Sequence, residues 1–329
     1  MRNLENLKTK VNPYLIENIA QNMYLEDFEH LERLKSFGKN LCERTLVEKR
    51  IYIKQIIKDF GNQDISKLQV RDIEKLLLED KSHSGSWKNS YLECFGAIYE
   101  ETKWVCPHAI EKPHFTKFSR NSQKTDIFNT DELNRFFDRK LWDNERDYLI
   151  FKIIFSCGLR IGEARAIKIN QFHFDDNLIL INGFCKKDGT RTNYNKCGSL
   201  KEKKWRTCPL SNEVIKLTQE YIQAHSKKET DFLITQEINN KPLSQEYLEK
   251  VFKNVLVKAK INFKERKLCP HSLRFTFVTR MRRTEDAETV RQLVGHNSVE
   301  MTDYYTRFGY EDFKIAQKNT FEAVENLYN

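Results

Sequence analysis

Apolar residues recur at helical intervals along most of the chain, as in helices that bury one face. Thr45 and Glu48 have the spacing of a capping box. Val47, Ile51, Ile56 and Phe60 then follow on one face until Gly61, a residue suited to closing the helix. Val70 to Glu79, with Ile73, Leu76 and Leu77 apolar, predicts a second helix, and a third opens at Ser86 with Tyr91, Phe95 and Ile98 in phase. Residues from about 14 to 108 therefore read as a small all-helical domain. The next stretch mixes Pro, basic and polar residues without a period, so 109–126 reads as a linker between domains 1–108 and 127–329.

Helical periodicity resumes at Thr130–Asp131 with Leu133, Phe136 and Phe137, and again from Tyr148 to Phe155. Asn177–Asn182 (NLILIN) and Lys204–Leu210 (KWRTCPL) are the best strand candidates, and the Lys-, Gly- and Asn-rich segment between them suits a long hairpin excursion. From Asn212 the pattern is helical once more. Ser244 caps a helix with Leu248, Val251, Phe252, Val255 and Leu256 on its apolar face. Asp286 and Ser298 are set to cap two short helices with Gly295 turning between them. The fold class is mainly α with a small antiparallel β-sheet.

With 39% hydrophobic and 31% charged residues, the chain is globular rather than disordered. Its net charge of +9 favours an acidic partner, nucleic acid being the commonest. None of the eight cysteines forms a Cys-x-x-Cys pair and no His cluster has zinc spacing, so no metal site is expected. Scattered cysteines, no signal-peptide apolar core and no long apolar run point to a cytoplasmic protein without a membrane span.

Four segments carry polar residues that a core does not need. Arg160 and Glu163 follow the apolar run FKIIF, where an arginine is costly to bury unless an anion meets it. A plain i, i+3 surface pair between the two is the bland alternative. The basic stretch from Lys186 to Arg206 includes Lys187, Lys201, Lys203 and Lys204. It suits a phosphate backbone, or a proton delivered by one lysine, or simply a solvated loop tip. His271 and Arg274 share one face if a helix starts at Pro270, an arrangement suited to phosphoryl transfer. The last segment holds Gly295, His296, Tyr304 and Tyr305; a lone His or Tyr is more often structural.

In their order and spacing these four segments resemble the tyrosine recombinase (phage integrase) family. Gly158-Leu159-Arg160 with Glu163 matches its Gly-Leu-Arg-x-x-Glu segment. Lys201, nine residues before Leu210 of Pro209–Leu210, matches its hairpin lysine. His271, Leu273, Arg274 and Thr276 match His-x-Leu-Arg-x-Thr, and Val294-Gly295-His296 with Tyr305 nine residues on matches the Leu-Gly-His segment and its nucleophile. The sequence departs at Cys157, where Thr is frequent, at Phe275, where a His commonly follows the Arg, and at Arg307, where a His is common.

The resemblance implies a two-domain DNA clamp, with a helical core-binding domain before the linker and a catalytic domain after it. It implies catalytic roles for Arg160, Lys201, His271, Arg274, His296 and Tyr305, with Glu163 behind them and DNA contacts from Lys186, Lys187, Lys203, Lys204 and Arg206. Lys203 and Lys204 compete with Lys201, because hairpin register decides which lysine reaches the site. The implied partner is a double-stranded DNA recombination site bound by a homotetramer, with tail exchange or with the tail after Tyr305 docked on its own domain. No cofactor, ATP or metal is required, because a phosphodiester is traded for a phosphotyrosine ester. The hairpin excursion suits a mobile-element integrase. Xer-like resolution of chromosome dimers, a type IB topoisomerase and an inactive sequence-specific DNA-binding protein are the alternatives.

Overall fold

The structure is a computed structural model that describes residues 12–24, 43–119, 126–192, 205–236 and 241–306. The chain divides into two units, Met1–Gln123 and Lys124–Asn329, each with its own apolar core.

In the first unit, α1 (Ile16–Tyr24) places Ile16, Ile19, Ala20 and Met23 on one buried stripe. It packs with α2 (Glu43–Phe60) and α4 (Gly85–Val105), while α3 (Val70–Glu79) adds Ile73 and Leu77 to the same core. Helix α2 is already formed at Glu43, so Thr45 lies in its first turn and is not a cap. The Thr-x-x-Glu spacing misleads there because i, i+3 pairs also recur along helix faces. The cap of α4 is Ser84, two residues before the expected start; its hydroxyl accepts from Trp87 N at 3.3 Å.

Part of the expected linker belongs to this unit. Ile110, Phe115 and Phe118 pack on its core, and the Asn89 amide brackets the Phe118 backbone, donating to its O at 2.9 Å and accepting from its N at 2.8 Å. An extended segment anchored by scattered aromatics has no period to read, which is why composition alone suggested a free connection.

The second unit opens with α5 (Thr130–Phe136), started by a full capping box between Asn129 and Glu132. Helices α6 (Glu145–Ser156) and α7 (Ile161–Arg165) follow. Strands β1 (Phe172–His173), β2 (Leu178–Ile181) and β5 (Arg206–Pro209) form an antiparallel sheet in the order β1-β2-β5, with Leu178 opposite Pro209 and Ile181 opposite Arg206. Between them, β3 (Phe184–Cys185) and β4 (Arg191–Thr192) make a separate two-stranded ribbon. The chain continues through α8 (Asn212–Ala224), α9 (Gln245–Lys258), α10 (Pro270–Met281), α11 (Ala287–Val294) and α12 (Val299–Tyr305). Phe136, Phe151 and Phe252 meet at the centre of the main core, with ring centroids 5.3–6.3 Å apart. A smaller cluster of Val278, Val290 and Val294, with Tyr305 packed against it, joins α10, α11 and α12. No helix among the described residues is long and apolar enough to cross a membrane.

Candidate active site

The site grows from helix ends. After α6 the chain turns at Gly158, whose φ of +57° suits glycine and where a Cβ would lie 2.4 Å from the Phe277 ring. That turn sets Arg160 at the N-cap of α7. Glu163 reaches back from the first turn, accepting from Arg160 N at 2.9 Å and from Arg160 Nη1 at 3.0 Å. The bland pairing considered from sequence is thus present, but it is not a surface pair, since Glu163 is only 1% exposed.

Pro270 stands in the first turn of α10, where its missing N–H costs nothing. The helix start fixes His271 and Arg274 at i, i+3. Arg274 is fully buried. Its Nη1 donates to Gly158 O and its Nη2 to Val294 O at 2.7 Å, while Glu163 Oε2 lies 4.0 Å away. Nε has no hydrogen-bond partner among the described residues. Burial, and then the Arg160 charge, pull this guanidinium down to about 9, so it remains charged at neutral pH.

Asp286 caps α11 by accepting from Glu288 N and Thr289 N, and Gly295 closes the helix at φ +66°. His296 follows, 1% exposed, with Nδ1 3.0 Å from Thr302 Oγ1 and Nε2 without a partner among the described residues. Burial, then the charges of Arg274, Arg160 and Arg206, lower its pKa to about 2, which makes it a neutral imidazole.

Helix α12, capped by Ser298, ends on Tyr305. The phenol oxygen lies 2.7 Å from His271 Nε2. Its ring stacks on Phe275, with centroids 4.1 Å apart and planes at 11°, and passes over Arg274, with Cζ 5.6 Å from the ring centre. Its neighbour Tyr304 is 44% exposed.

Arg160, Glu163, His271, Arg274, His296 and Tyr305 are therefore brought into one cluster. Arg206 joins it from inside. Read from sequence as a DNA contact, it is buried on β5 and gives both terminal nitrogens to Glu163. Lys186 and Lys187 sit on the exposed turn between β3 and β4. Lys201, Lys203, Lys204 and Arg307, with the tail after it, lie outside the described residues. Thr302 and the stacking of Phe275 escaped sequence reading; the i−3 spacing of Thr302 before Tyr305 was the available signal for the first. Two exposed-poor guanidiniums, a neutral imidazole and a phenol beside a second imidazole can hold a tetrahedral anion and attack it.

Residues 126–311 match the model of the phage integrase family. A tyrosine recombinase of Pseudothermotoga lettingae is 23% identical over 323 residues, 95% of this chain and 99% of the relative. Tyrosine recombinase XerC of Listeria welshimeri is 25% identical over 88% of this chain and 93% of its own length. Among solved structures, the Tn1549 transposon integrase in complex with transposon right end DNA shares the fold, with a TM-score of 0.71 and 16% identity over 92% of this chain and 99% of that one. XerH in its post-cleavage complex with a palindromic difH substrate has a TM-score of 0.64 and 18% identity, over 89% of this chain and 85% of that one. A chain whose family match spans more than half its length, and whose polar cluster joins that family's motifs in one place, belongs to the phage integrase family and is a tyrosine recombinase.

Proposed function

We propose that this protein is a site-specific DNA recombinase that cuts and rejoins duplex DNA through a 3′-phosphotyrosine on Tyr305, in the service of a mobile element. The observation that carries the reading is the 2.7 Å contact between Tyr305 Oη and His271 Nε2 beside the buried Arg274. The phenol oxygen attacks phosphorus and His271 takes its proton. The 5′-oxygen leaves as the P–O bond breaks, and the free hydroxyl of the exchanged strand reverses the step. Arg160 and Arg274 clamp the nonbridging oxygens as charge builds. His296, its Nδ1 3.0 Å from Thr302 Oγ1, turns Nε2 to the same phosphate. Glu163 aims Arg160, and Lys186 and Lys187 meet the DNA backbone. The Tn1549 integrase complex with transposon right end DNA and the XerH complex with a difH substrate support DNA as the partner; the proposal includes a homotetramer that joins two sites.

The long excursion between β2 and β5 favours integration, while the Xer relatives favour resolution of chromosome dimers. Sequencing the DNA that flanks the gene, followed by an exchange assay on those flanks, separates them. Repeats bordering an element, and exchange between such repeats, are expected. Exchange confined to a single chromosomal site shared by two copies of the chromosome would replace integration with the Xer reading, and relaxation of supercoils without exchange would replace both.

Lys201 is proposed as the acid that protonates the leaving 5′-oxygen, its ammonium being a flexible single-point donor. Lys201→Ala is expected to cleave ordinary DNA slowly and to recover on DNA whose bridging 5′-oxygen is sulfur, a leaving group that needs no proton. The same recovery in Lys203→Ala or Lys204→Ala instead would reassign the acid.

A further inference from the structure

Arg206 belongs to the basic stretch yet turns inward, and its surroundings give it a task. Strand β5 alternates, with Arg206 and Cys208 buried and Thr207 and Pro209 outward. The period of two therefore drives Arg206 under the sheet and toward the start of α7. Its side chain is 7% exposed. Nη1 donates to Glu163 Oε1 at 3.2 Å, Nη2 to Glu163 Oε2 at 2.8 Å, and Nε to Leu293 O at 2.9 Å. This is a two-point grip on a carboxylate, with the third donor spent on the last turn of α11. A guanidinium so placed cannot reach a DNA backbone without abandoning a buried anion, which is strongly unfavourable.

We propose that Arg206 is a positioning residue of the cleavage site, holding Glu163 rigid so that Glu163 aims Arg160, and fastening that corner to the turn that carries His296. The inference deepens the recombinase reading and rests on it. The connections are direct. The two oxygens Arg206 grips are those that receive Arg160 N and Arg160 Nη1. The carbonyl it grips, Leu293 O, precedes Val294 O, which holds Arg274. Gly295 is shaped around it, because a Cβ there would come within 3.2 Å of Arg206 Nη1. One side chain on β5 thus connects the segment that carries Arg160 with the turn that carries His296 and whose Val294 O holds Arg274.

Electrostatics makes the role measurable. Glu163 is faced by Arg160 at the start of α7, Arg206 and the Cys208 thiol from β5, and Arg274 from α10. Burial alone would push its carboxyl up; Arg206 is the strongest opposing influence, followed by Arg160 and Arg274, and together they hold it well below the ordinary carboxylate range. In the native enzyme Glu163 is therefore ionised at every working pH and gives no acid limb. Without Arg206 its pKa rises, and as pH falls through that value the carboxyl takes a proton and releases Arg160.

The test is single-turnover cleavage of a nicked suicide substrate at saturating protein, from about pH 5 to 8, the range where a poorly compensated buried carboxyl titrates. Arg206→Met is expected to lose about 10-fold to 100-fold at neutral pH, the scale for misplacing one oxyanion donor, and to show an acid limb from Glu163 in addition to any that His271, as the base, gives the native enzyme. Its affinity for intact duplex should change less than about threefold, because the buried guanidinium has its donors on Glu163 and Leu293 O and none toward a phosphate. Adding Glu163→Gln to Arg206→Met should remove that limb. Arg206→Lys keeps the charge but loses the two-point grip; it should be slowed with the pH profile of the native enzyme, and it also serves if Arg206→Met fails to fold. A uniform loss at all pH in Arg206→Met, a loss matched by weaker DNA binding, or native rates in Arg206→Lys would each overturn the proposal. If the native enzyme forms no covalent complex at all, the recombinase reading fails instead.

Discussion

Tyr305→Phe is expected to lose covalent attachment to a nicked suicide substrate by at least about 10⁴-fold, the scale for deleting an enzyme's nucleophile, while binding duplex almost as before. The change removes one oxygen, the atom 2.7 Å from His271 Nε2. The ring keeps its stack on Phe275 and its place against the valines that join α10, α11 and α12, so neither fold nor DNA surface should suffer. Tyr304→Phe is the control. One residue earlier on α12, it points about 100° away and is 44% exposed, so it should form the covalent complex at a near-native rate. Trapping that survives in Tyr305→Phe and vanishes in Tyr304→Phe would transfer the role to the neighbour.

The second large effect is expected from the arginines, and the two should differ in kind. Arg160→Ala and Arg274→Ala should each slow cleavage by about 10² or more, with much smaller losses of DNA affinity, because backbone contacts are spread over many basic residues. Arg160 has a side chain 18% exposed, and its removal leaves Glu163 paired with Arg206. Arg274 is fully buried and holds two backbone carbonyls, Gly158 O and Val294 O. Deleting it orphans both, at about 1–3 kcal/mol for each buried unsatisfied group. Denaturant unfolding should therefore show Arg274→Ala several kcal/mol less stable and Arg160→Ala nearly native. Rates must be taken on folded protein, and normal cutting by either folded variant at saturating protein would remove it from the phosphate clamp.

Much of this site could be read beforehand because helix starts are written locally. Pro270 fixes the frame of α10, and with it the shared face of His271 and Arg274. Asp286, Gly295 and Ser298 announce the two short helices that deliver His296 and Tyr305. The two strand candidates contain β2 and β5, which pair as a hairpin's flanks do. Arg206 was misjudged for a physical reason. A charge run looks solvated as a whole, whereas alternation on a strand assigns its members one by one, and the buried Cys208 two residues on marked the inward face. Nor could sequence show that Phe275 would fill the place of a common His by stacking on the nucleophile. That depends on α10 and α12 meeting, which no local pattern encodes. The packing of Ile110, Phe115 and Phe118, within the stretch 109–126 read as a linker, was illegible for the same reason, since these anchors are tertiary.

Gly158 and Gly295 bear on how such an enzyme could be retargeted by directed evolution. Both have positive φ, and both face crowding by other elements, Phe277 and Val294 at the first and Arg206 at the second. A side chain at either position would disturb the backbone frame that holds Arg274. In a randomised library these positions would register as intolerant while carrying no information about DNA recognition. A selection for new target sites gains by fixing both glycines and spending its diversity on exposed surface.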